Sequence, residues 1–220
     1  MADEKVFSAS AVYADLMHEI KARMDSIAEI HRGLSADPSV IDGFIKAEFC
    51  YLQIRYICEL IALGVAAAHE PVGLSKDILK SWNADRTLGY LAQINEHCFP
   101  KPIVLRSQDG AHQFEIRENC ALEIKDVKKI YSECGEILHR GTLKNILAER
   151  QRLYDLRKLN EWARAIGSLL KHHIIMILSE GTVLLVRMGG PGEGVQVALA
   201  KAEGEAIYVP DQPPHADGDI

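Results

Sequence analysis

An arginine and a glutamate one helical turn apart are the residues of this chain best suited to chemistry. Arg55 and Glu59 are the only charged residues in the apolar stretch QIRYICELIALGVAAA, residues 53–68. A charge among apolar neighbours is costly unless it is paired. A guanidinium in a polar pocket inside a bundle could hold a phosphate or a carboxylate, and the spacing of Glu48 places it on the same side of the helix. The alternative is a structural network in which Arg55 ties two helices together and Glu59 balances its charge.

His139 is the second candidate, because it ends a predicted helix together with Arg140 and Gly141. A histidine there could serve as a general base or contact a phosphate, with Arg55 or Arg140 stabilising negative charge. The alternative is electrostatic, since the helix macrodipole favours each cation at a C-terminal end by about 0.3–1 kcal/mol. The two interpretations do not exclude each other.

The third candidate is a stripe of basic residues spaced seven apart: Arg150, Arg157, Arg164 and Lys171. They lie in segment 121–172, which carries 11 Lys and Arg against 7 Asp and Glu and so has a net charge of +4. With this spacing they form a slowly drifting stripe along one helix. Such a stripe could follow the phosphates of RNA or DNA. The alternative is a solvated helix flank, which is favoured by the lack of interleaved aromatic residues for base stacking.

Metal and nucleotide sites have characteristic spacings that this chain lacks. It contains nine histidines and five cysteines, but none at the spacing of a zinc finger, a zinc ribbon or an H-E-x-x-H helix. The glycine-rich segment 188–194 lacks the Lys-Ser/Thr and the following helix of a phosphate loop, so it is predicted to be a hairpin connection. We therefore expect no metal and no cofactor.

Composition narrows the class of protein and its location. The net charge of −6 and the pI of about 5.8 give no overall attraction to nucleic acid or to an anionic membrane. An odd number of cysteines without a C-x-x-C pair favours a reducing environment. The longest apolar stretches are interrupted by Glu59 or by residues 171–173, and the acidic amino terminus has no apolar signal core. We expect a cytoplasmic protein without membrane contact.

Hydrophobic periodicity predicts five helices that carry these candidates. Gly33 ends the first helix, and Ser75 caps the third. The second is apolar nearly all the way round, so it is predicted to lie enclosed in the middle of a bundle. In the third, Leu79, Trp82, Leu88 and Leu91 are predicted to face inward. The predicted helices span residues 8–32, 40–69, 75–96, 124–141 and 146–171.

Two segments change to the strand period. Residues 103–116 alternate around Asp109-Gly110, which is a hairpin turn signal, and three short strands follow residue 172. The predicted fold class is mainly α: a bundle of about five helices with a short β-hairpin insertion and a C-terminal antiparallel β-meander. The predicted organisation is a helical bundle domain at 1–172 with the hairpin insertion at 103–116, a β-meander appendage at 173–209, and a disordered tail at 210–220.

The helix sequences FIKAEFCYLQIRYICELIALG and YSECGEILHRG, with Arg55 and His139 at their positions, resemble those of the HEPN-like bundles. These are small α-helical domains of bacterial defence and toxin systems, and the resemblance covers roughly residues 40–172. In catalytic members an arginine precedes a histidine with four to six residues between them, and the pair cleaves RNA at a dimer interface. In this chain Arg106 and His112 have that spacing, and they fall on the predicted hairpin.

The leading functional hypothesis is a non-catalytic interaction or ligand-binding module that forms a homodimer. The dimer is predicted because the last meander strand, VQVALAKA, would otherwise leave an exposed edge. The alternatives are a metal-independent HEPN-like endoribonuclease, with His139 and Arg55 as catalytic candidates, and nucleic-acid binding through the basic stripe. A second protein or RNA is the expected further partner. The predicted binding residues are Arg55, Glu59, His139, Arg140, Arg157 and Arg164.

Overall fold

The structure, a computed structural model, describes residues 2–33, 41–108, 111–117, 122–139, 147, 154–177 and 182–201. It is mainly α with an antiparallel sheet, which confirms the predicted fold class. A short 3₁₀ turn, Glu70–Val72, follows the second helix. The helices are α1 (Ala2–Gly33), α2 (Ile41–His69), α3 (Lys76–Leu79), α4 (Ala84–Ile94), α5 (Ile124–Leu138) and α6 (Leu156–Leu170).

The predicted helix at 75–96 is two helices rather than one. Ser75 caps α3 as predicted, but Asn83 caps α4, because its side chain accepts the backbone N–H three residues further on at 2.9 Å. An asparagine bonded to the backbone in this way favours a new helix start over continuation. The prediction that Leu79 and Trp82 face inward is wrong, since both are exposed on the segment between the two caps. The predicted inward residues of α4, Leu88 and Leu91, are buried.

Five antiparallel strands form one sheet in the order β2-β1-β3-β4-β5, so β3 is central and β2 and β5 are the edges. The first two strands form the predicted hairpin, with Ile103 opposite Ile116. The other three form the predicted meander. The strands are β1 (Lys101–Gln108), β2 (Ala111–Ile116), β3 (His172–Met176), β4 (Thr182–Arg187) and β5 (Gln196–Lys201).

A pairing that the sequence does not predict joins the hairpin to the meander. β1 lies beside β3, with Lys101 opposite Ile174 and Pro102 opposite His173. The predicted insertion and the predicted appendage are therefore neighbours in one sheet. Periodicity identifies the strands, but which distant strands pair depends on the core that they share.

Helix α2 lies at the centre of the helical layer, with α1, α4 and α5 packed against it. Its buried side chains belong to the same apolar core as those of α6 and of the sheet. The segment Gly43–Val72 is also long and apolar enough to cross a bilayer, by length and composition, but 61% of its most apolar window is buried inside the protein. The fully or nearly fully buried residues at the centre of this core include Tyr51, Ile54, Ile57, Ile61, Leu159, Ile166 and Leu184.

A buried histidine fixes one end of the central strand to α1. Nδ1 of His173 lies 2.8 Å from the Leu170 carbonyl, and its Nε2 lies 2.6 Å from the Tyr13 hydroxyl. Because a carbonyl can only accept, Nδ1 carries the proton of the neutral ring, and Nε2 accepts from the tyrosine. Both side chains are completely buried, so the bond ties α1 to β3 with no access for water.

A second buried histidine fixes the other end of β3 to α2. Nδ1 of His69 donates to the Val65 carbonyl at 2.8 Å, and its Nε2 accepts from the Asn95 amide at 2.8 Å. The same amide donates to the Met176 carbonyl at the end of β3, also at 2.8 Å. The central strand is thus held at both ends by neutral imidazoles.

The connection between β4 and β5 wraps around a lysine of α1. Lys21 Nζ donates to the carbonyls of three loop residues, among them Gly190 at 2.7 Å. Gly189 and Gly192 have positive φ angles of 71° and 79°, a conformation that glycine adopts without strain. These contacts confirm the predicted hairpin connection at 188–194 and fix it to α1. The predicted tail at 210–220 lies outside the described residues.

The buried histidines predict a loss of stability in acid. Burial lowers the pKa of His173 to about 4, below its ordinary 6.5. Between these two pH values the unfolded chain binds more protons than the folded one, so the free energy of unfolding falls as the pH drops. Urea denaturation should show a loss of roughly 2 kcal/mol from His173 between pH 7 and pH 5. Burial also lowers the pKa of His69, so this histidine adds to the loss of stability in acid.

The double variant Tyr13→Phe/His173→Leu is the control, because it replaces both hydrogen-bonding partners by apolar side chains. Its free energy of unfolding should change less between pH 7 and pH 5, by roughly the 2 kcal/mol assigned to His173. The same pH dependence in the variant and the wild type would contradict this assignment.

Candidate functional site

The predicted pair Arg55 and Glu59 joins α2 to α5. The Arg55 guanidinium lies over the Tyr131 ring, 3.9 Å from its centroid, and Nη1 donates to the Tyr131 carbonyl at 2.9 Å. Arg55 Nε lies 3.7 Å from the Glu59 carboxylate. Thus α2 supplies the counter-charge, and α5 supplies the ring and the carbonyl. These contacts correspond to the structural alternative, in which Arg55 ties two helices together.

A glycine of α5 makes room for the guanidinium. A Cβ atom at Gly135, one turn after Tyr131, would lie 2.5 Å from Arg55 Nη1. Any larger residue would therefore push the arginine away from its carbonyl acceptor. Sequence reasoning missed Gly135, but a signal was present: an interior glycine costs a helix about 1 kcal/mol relative to alanine, so it usually has a packing reason.

The charged pair is half-buried rather than enclosed. The side chains of Arg55 and Glu59 are 23% and 20% exposed. The pKa of Glu59 is raised, chiefly because burial disfavours the carboxylate, while Arg55 and the contact with Tyr131 act to lower it. The prediction of a wholly interior pair is therefore wrong, because α2 is not covered along the edge on which the pair lies.

The Tyr131 hydroxyl is the weakest point of this cluster. It is buried, and no group in the described part of the chain meets it with good hydrogen-bond geometry. Burial raises the pKa of Tyr131, Arg55 opposes this, and the interaction with Glu59 adds to it. A buried hydroxyl without a well-formed hydrogen bond costs about 1–3 kcal/mol.

Two thiols beside the pair are chemically inert. Cys58 and Cys134 are both buried. Burial raises the pKa of Cys134 to about 12 and that of Cys58 well above its ordinary value, although Arg55 acts to lower both. Since the thiolate is the reactive form, the cluster contains no activated nucleophile at neutral pH.

Glu48, predicted on the same side of α2 as the pair, contacts another element. Its carboxylate accepts a hydrogen bond from the Tyr154 hydroxyl, just before α6. The rings of Tyr154 and Tyr51 lie 6.0 Å apart, and the Tyr51 hydroxyl donates to the Asp155 carbonyl at 2.9 Å. These contacts fix the start of α6 to the N-terminal half of α2.

His139 is the C-cap of α5, and its side chain is exposed. Its backbone N–H donates to the Gly135 carbonyl at 3.2 Å. A residue four positions further along a helix lies on the same face, about 6 Å along the axis. His139 therefore ends the face of α5 that Arg55 contacts. Arg140 lies outside the described residues.

The basic stripe is only partly described, and its members differ in surroundings. Arg157 and Arg164 are both exposed on α6. Of these two, Arg164 lines a groove between α1 and α6. Lys171 is exposed just after α6, whereas Arg150 lies outside the described residues.

The one arginine–histidine pair with nuclease-like spacing lies on the sheet, as predicted. Arg106 belongs to β1 and is opposite Gln113, whereas His112 belongs to β2 and is opposite Ser107. The two residues are thus not cross-strand partners.

One face of α2 is apolar and exposed, so the prediction that this helix is enclosed is wrong along that face. Ile45, Phe49, Tyr56 and Leu63 are 60%, 37%, 39% and 38% exposed, and Leu52 is half-buried. These five residues, the α2 row, follow the alternating spacing of four and three that is typical of a coiled-coil seam. The spacing was visible in the sequence, but hydropathy alone does not tell which apolar face lacks a neighbour.

Arginines flank the α2 row on both sides. Arg23 of α1 lies over the Tyr56 ring, 4.7 Å from its centroid, on the side where α1 packs. Arg55 lies over Tyr131 on the side where α5 packs. Glu59 takes the one position of the seam spacing that is not apolar. The predicted charged pair therefore belongs to an exposed apolar surface, with Glu59 within the seam and Arg55 at its margin.

The described residues contain no group of three or more His, Cys, Asp or Glu that could hold a metal ion. No protein-family model matches the chain, and neither a curated protein nor a solved structure matches it. The candidate site is therefore argued from the geometry of α2 and its neighbours.

A substitution at Gly135 tests how firmly the guanidinium is held. Alanine inside a helix is more stable than glycine by about 1 kcal/mol, but at this position its methyl group would displace Arg55 from the Tyr131 carbonyl. We expect Gly135→Ala to leave the free energy of unfolding in urea unchanged or lower. The control is Gly89→Ala in α4, where the Cβ atom would meet Lys128 Nζ at an ordinary 3.6 Å. This variant should gain about 1 kcal/mol.

A double-mutant cycle separates the two effects. With Arg55→Leu already present, Gly135→Ala should recover most of the helix-propensity gain, because no hydrogen bond remains to be broken. The same gain with and without Arg55 would contradict the proposed conflict between the methyl group and the guanidinium.

Proposed function

We propose that the protein is a non-catalytic, cytoplasmic interaction module that forms a homodimer, with the α2 row of one copy packed against that of the other. The observation that carries the proposal is the row itself: large apolar side chains lie exposed on the helix that also forms the centre of the core. Scattered exposed apolar residues need no explanation, but a contiguous apolar patch marks an interaction site.

The geometry of the row suits a second copy of the same chain. A twofold interface uses the same patch on both subunits, so the patch must be complementary to itself. Alternating spacings of four and three allow a helix to pack along a like helix at about 20°, with side chains of each filling holes in the other. From Ile45 to Leu63 the row is about 27 Å long, between two and three heptads.

The residue types of the surface also support this function. Aromatic residues and arginine are enriched at the centres of protein interfaces. The row contributes Phe49 and Tyr56, and its margins contribute Arg23 and Arg55, each stacked on a tyrosine ring. The guanidinium is less strongly hydrated than an ammonium group, so water is more easily removed from these margins when the dimer forms.

Glu59 fits the dimer as the polar position of the seam. A single polar residue in an apolar seam fixes the register of two helices, at some cost in stability. The charge of Glu59 is balanced within the same chain by Arg55, whose Nε lies 3.7 Å from the Glu59 carboxylate. The pair therefore does not need a ligand to explain its presence on an apolar helix.

The edge strand β5, predicted as the dimer surface, is the alternative. It carries the exposed Leu199, and the described part of β5 has no other exposed large apolar residue. The loop before β5 contacts α1, where His18 Nε2 accepts from the Val195 N–H at 3.0 Å. The α2 row exposes more apolar side chains and is therefore the favoured surface.

A charge in the row should weaken the dimer. Ile45→Glu would place a carboxylate among apolar side chains that lose water on association, and a dissociation constant at least about tenfold higher is expected. Leu79→Glu is the matched control, because Leu79 in α3 is 58% exposed against 60% for Ile45 and lies off the row. Sedimentation equilibrium measures the dissociation constant of each variant, and circular dichroism verifies that each variant folds.

Two results would contradict the proposed interface. A wild-type chain that stays monomeric at high concentration would exclude the homodimer. A dimer that Leu199→Lys disrupts while Ile45→Glu leaves it intact would move the interface to β5.

An RNA-cleaving HEPN-like enzyme is the second candidate function, and the position of His139 favours it. His139 ends the face of α5 that carries Gly135, which Arg55 touches. In this hypothesis His139 removes the proton of a ribose 2′-hydroxyl, whose oxygen bonds to the adjacent phosphorus, and Arg55 or Arg140 stabilises the negative charge on the oxygens of the phosphorane. The bond from phosphorus to the 5′-oxygen then breaks, and the leaving oxygen takes a proton from water. Such a site would lie beside the α2 row, and so next to the proposed dimer interface.

Incubation of the metal-free protein with single-stranded and structured RNA separates the candidates. Cleavage that His139→Ala abolishes and His97→Ala preserves would overturn the non-catalytic proposal, because His97 is an exposed histidine that follows α4 and does not belong to α5. We expect no cleavage by any of the three proteins. Binding without cleavage that weakens with salt, and further weakens in Arg157→Gln/Arg164→Gln, would instead indicate a nucleic-acid surface on α6.

A further inference from the structure

A groove of about 430 Å³ lies between the C-terminal part of α1 and the middle of α6. This volume is in the range of small-molecule sites, roughly 300–1,000 Å³. The groove exists because the facing residues are small where the helices separate, namely Ala28 on α1 and Ala163 and Gly167 on α6. It is separate from the α2 row and does not depend on the proposed dimer.

The floor of the groove is apolar. Met24 and Ile27 of α1 face Leu159 and Ala163 of α6 across it. Leu159 and Ala163 belong to the buried core, and Met24 is packed against it. An apolar floor of this kind gains free energy when a hydrocarbon chain displaces water from it.

The rim of the groove is basic. His31 and Arg32 lie in the last turn of α1, and Arg164 of α6 lines the same groove. The helix macrodipole explains cations at the end of α1, but it does not explain Arg164, which comes from the interior of another helix. Among the residues that the structure describes, no aspartate or glutamate lines the groove.

The basic side chains of the rim have no acidic partner in the part of the chain that the structure describes. Arg32 Nε donates to the Ala28 carbonyl at 3.2 Å, a neutral acceptor. Neither His31, Arg32 nor Arg164 forms an ion pair with a described carboxylate. The rim therefore has the charge and the hydrogen-bond donors to meet an anionic group, preferably one that accepts two bonds from a guanidinium.

We propose that this groove binds a single-chain amphipathic anion, with its hydrocarbon chain along the floor and its carboxylate or phosphate at the basic rim near Arg164. The chemistry of the groove recognises both halves of such a molecule. Its length along the helices, about 10–12 Å from Met24 to His31 and from Leu159 to Gly167, suits one medium-length chain. The occupant is a free amphiphile rather than a membrane surface, because the chain lies between two helices.

Calorimetric titration with decanoate, kept below its micelle concentration, tests the proposal. Decanoate should bind at one site per chain. Decanol, which lacks the charge, and butyrate, which lacks most of the chain, should each bind at least about tenfold more weakly. Equal affinity for decanoate and decanol, or the absence of saturable binding of decanoate, would overturn the proposal.

Matched variants locate the site. Arg164→Gln should weaken decanoate binding at least about fivefold, whereas Arg157→Gln, an exposed arginine of the same helix outside the groove, should not change it. Gly167→Leu should block binding by filling the groove, and circular dichroism verifies its folding. If Gly167→Leu does not fold, the two arginine variants still decide. Equal weakening by both arginine variants would overturn the proposal in favour of non-specific charge attraction.

A vesicle arm separates the two sources of an anionic chain. Any sedimentation of the protein with vesicles of anionic phospholipid should be the same for the wild type and for Arg164→Gln. Sedimentation with the vesicles that Arg164→Gln reduces, together with no heat of binding when decanoate is titrated, would overturn the proposal in favour of a membrane-surface contact.

Discussion

A helix of 29 residues that is apolar nearly all the way round needs neighbours around most of its circumference. In this protein α1, α4 and α5 cover most of α2, and the fold is arranged around that requirement. One strip between α1 and α5, the α2 row, is left exposed. Water at this strip is the unfavourable contact that a second copy would remove. Glu59 lies within this strip and Arg55 at its margin, so the most conspicuous polar feature of the sequence belongs to an apolar surface.

The neighbours of α2 dock closely because glycines let them approach. At Gly64 a Cβ atom would lie 3.1 Å from the Tyr13 ring of α1, and at Gly135 of α5 it would lie 2.5 Å from the Arg55 guanidinium. Tyr13 in turn bonds His173 of the central strand at 2.6 Å. A single path of contacts therefore runs from the core helix through α1 to the sheet. Its buried polar members are satisfied only while the imidazole is neutral.

The sequence predicts the parts of this fold that are local. Periodicity places α1, α2, α5 and the strands because each has a stripe of side chains that must be buried. It does not predict the pairing of β1 with β3, which joins distant segments. It missed the break at Asn83, because a polar side chain that caps one helix also fits in the interior of another. It also missed the exposure of the α2 row, since hydropathy reports that a side chain is apolar but not whether another element covers it.

The interface itself is tested most directly by photochemical crosslinking between copies. The photoreactive amino acid p-benzoylphenylalanine would replace Phe49 in the α2 row and, as the reference, the exposed Trp82 off the row. On irradiation, the chain labelled at position 49 should form a covalent dimer, with the crosslink on residues 45–63 of the second copy, and the chain labelled at position 82 should not. No dimer from position 49, or a crosslink that maps to β5, would contradict the account.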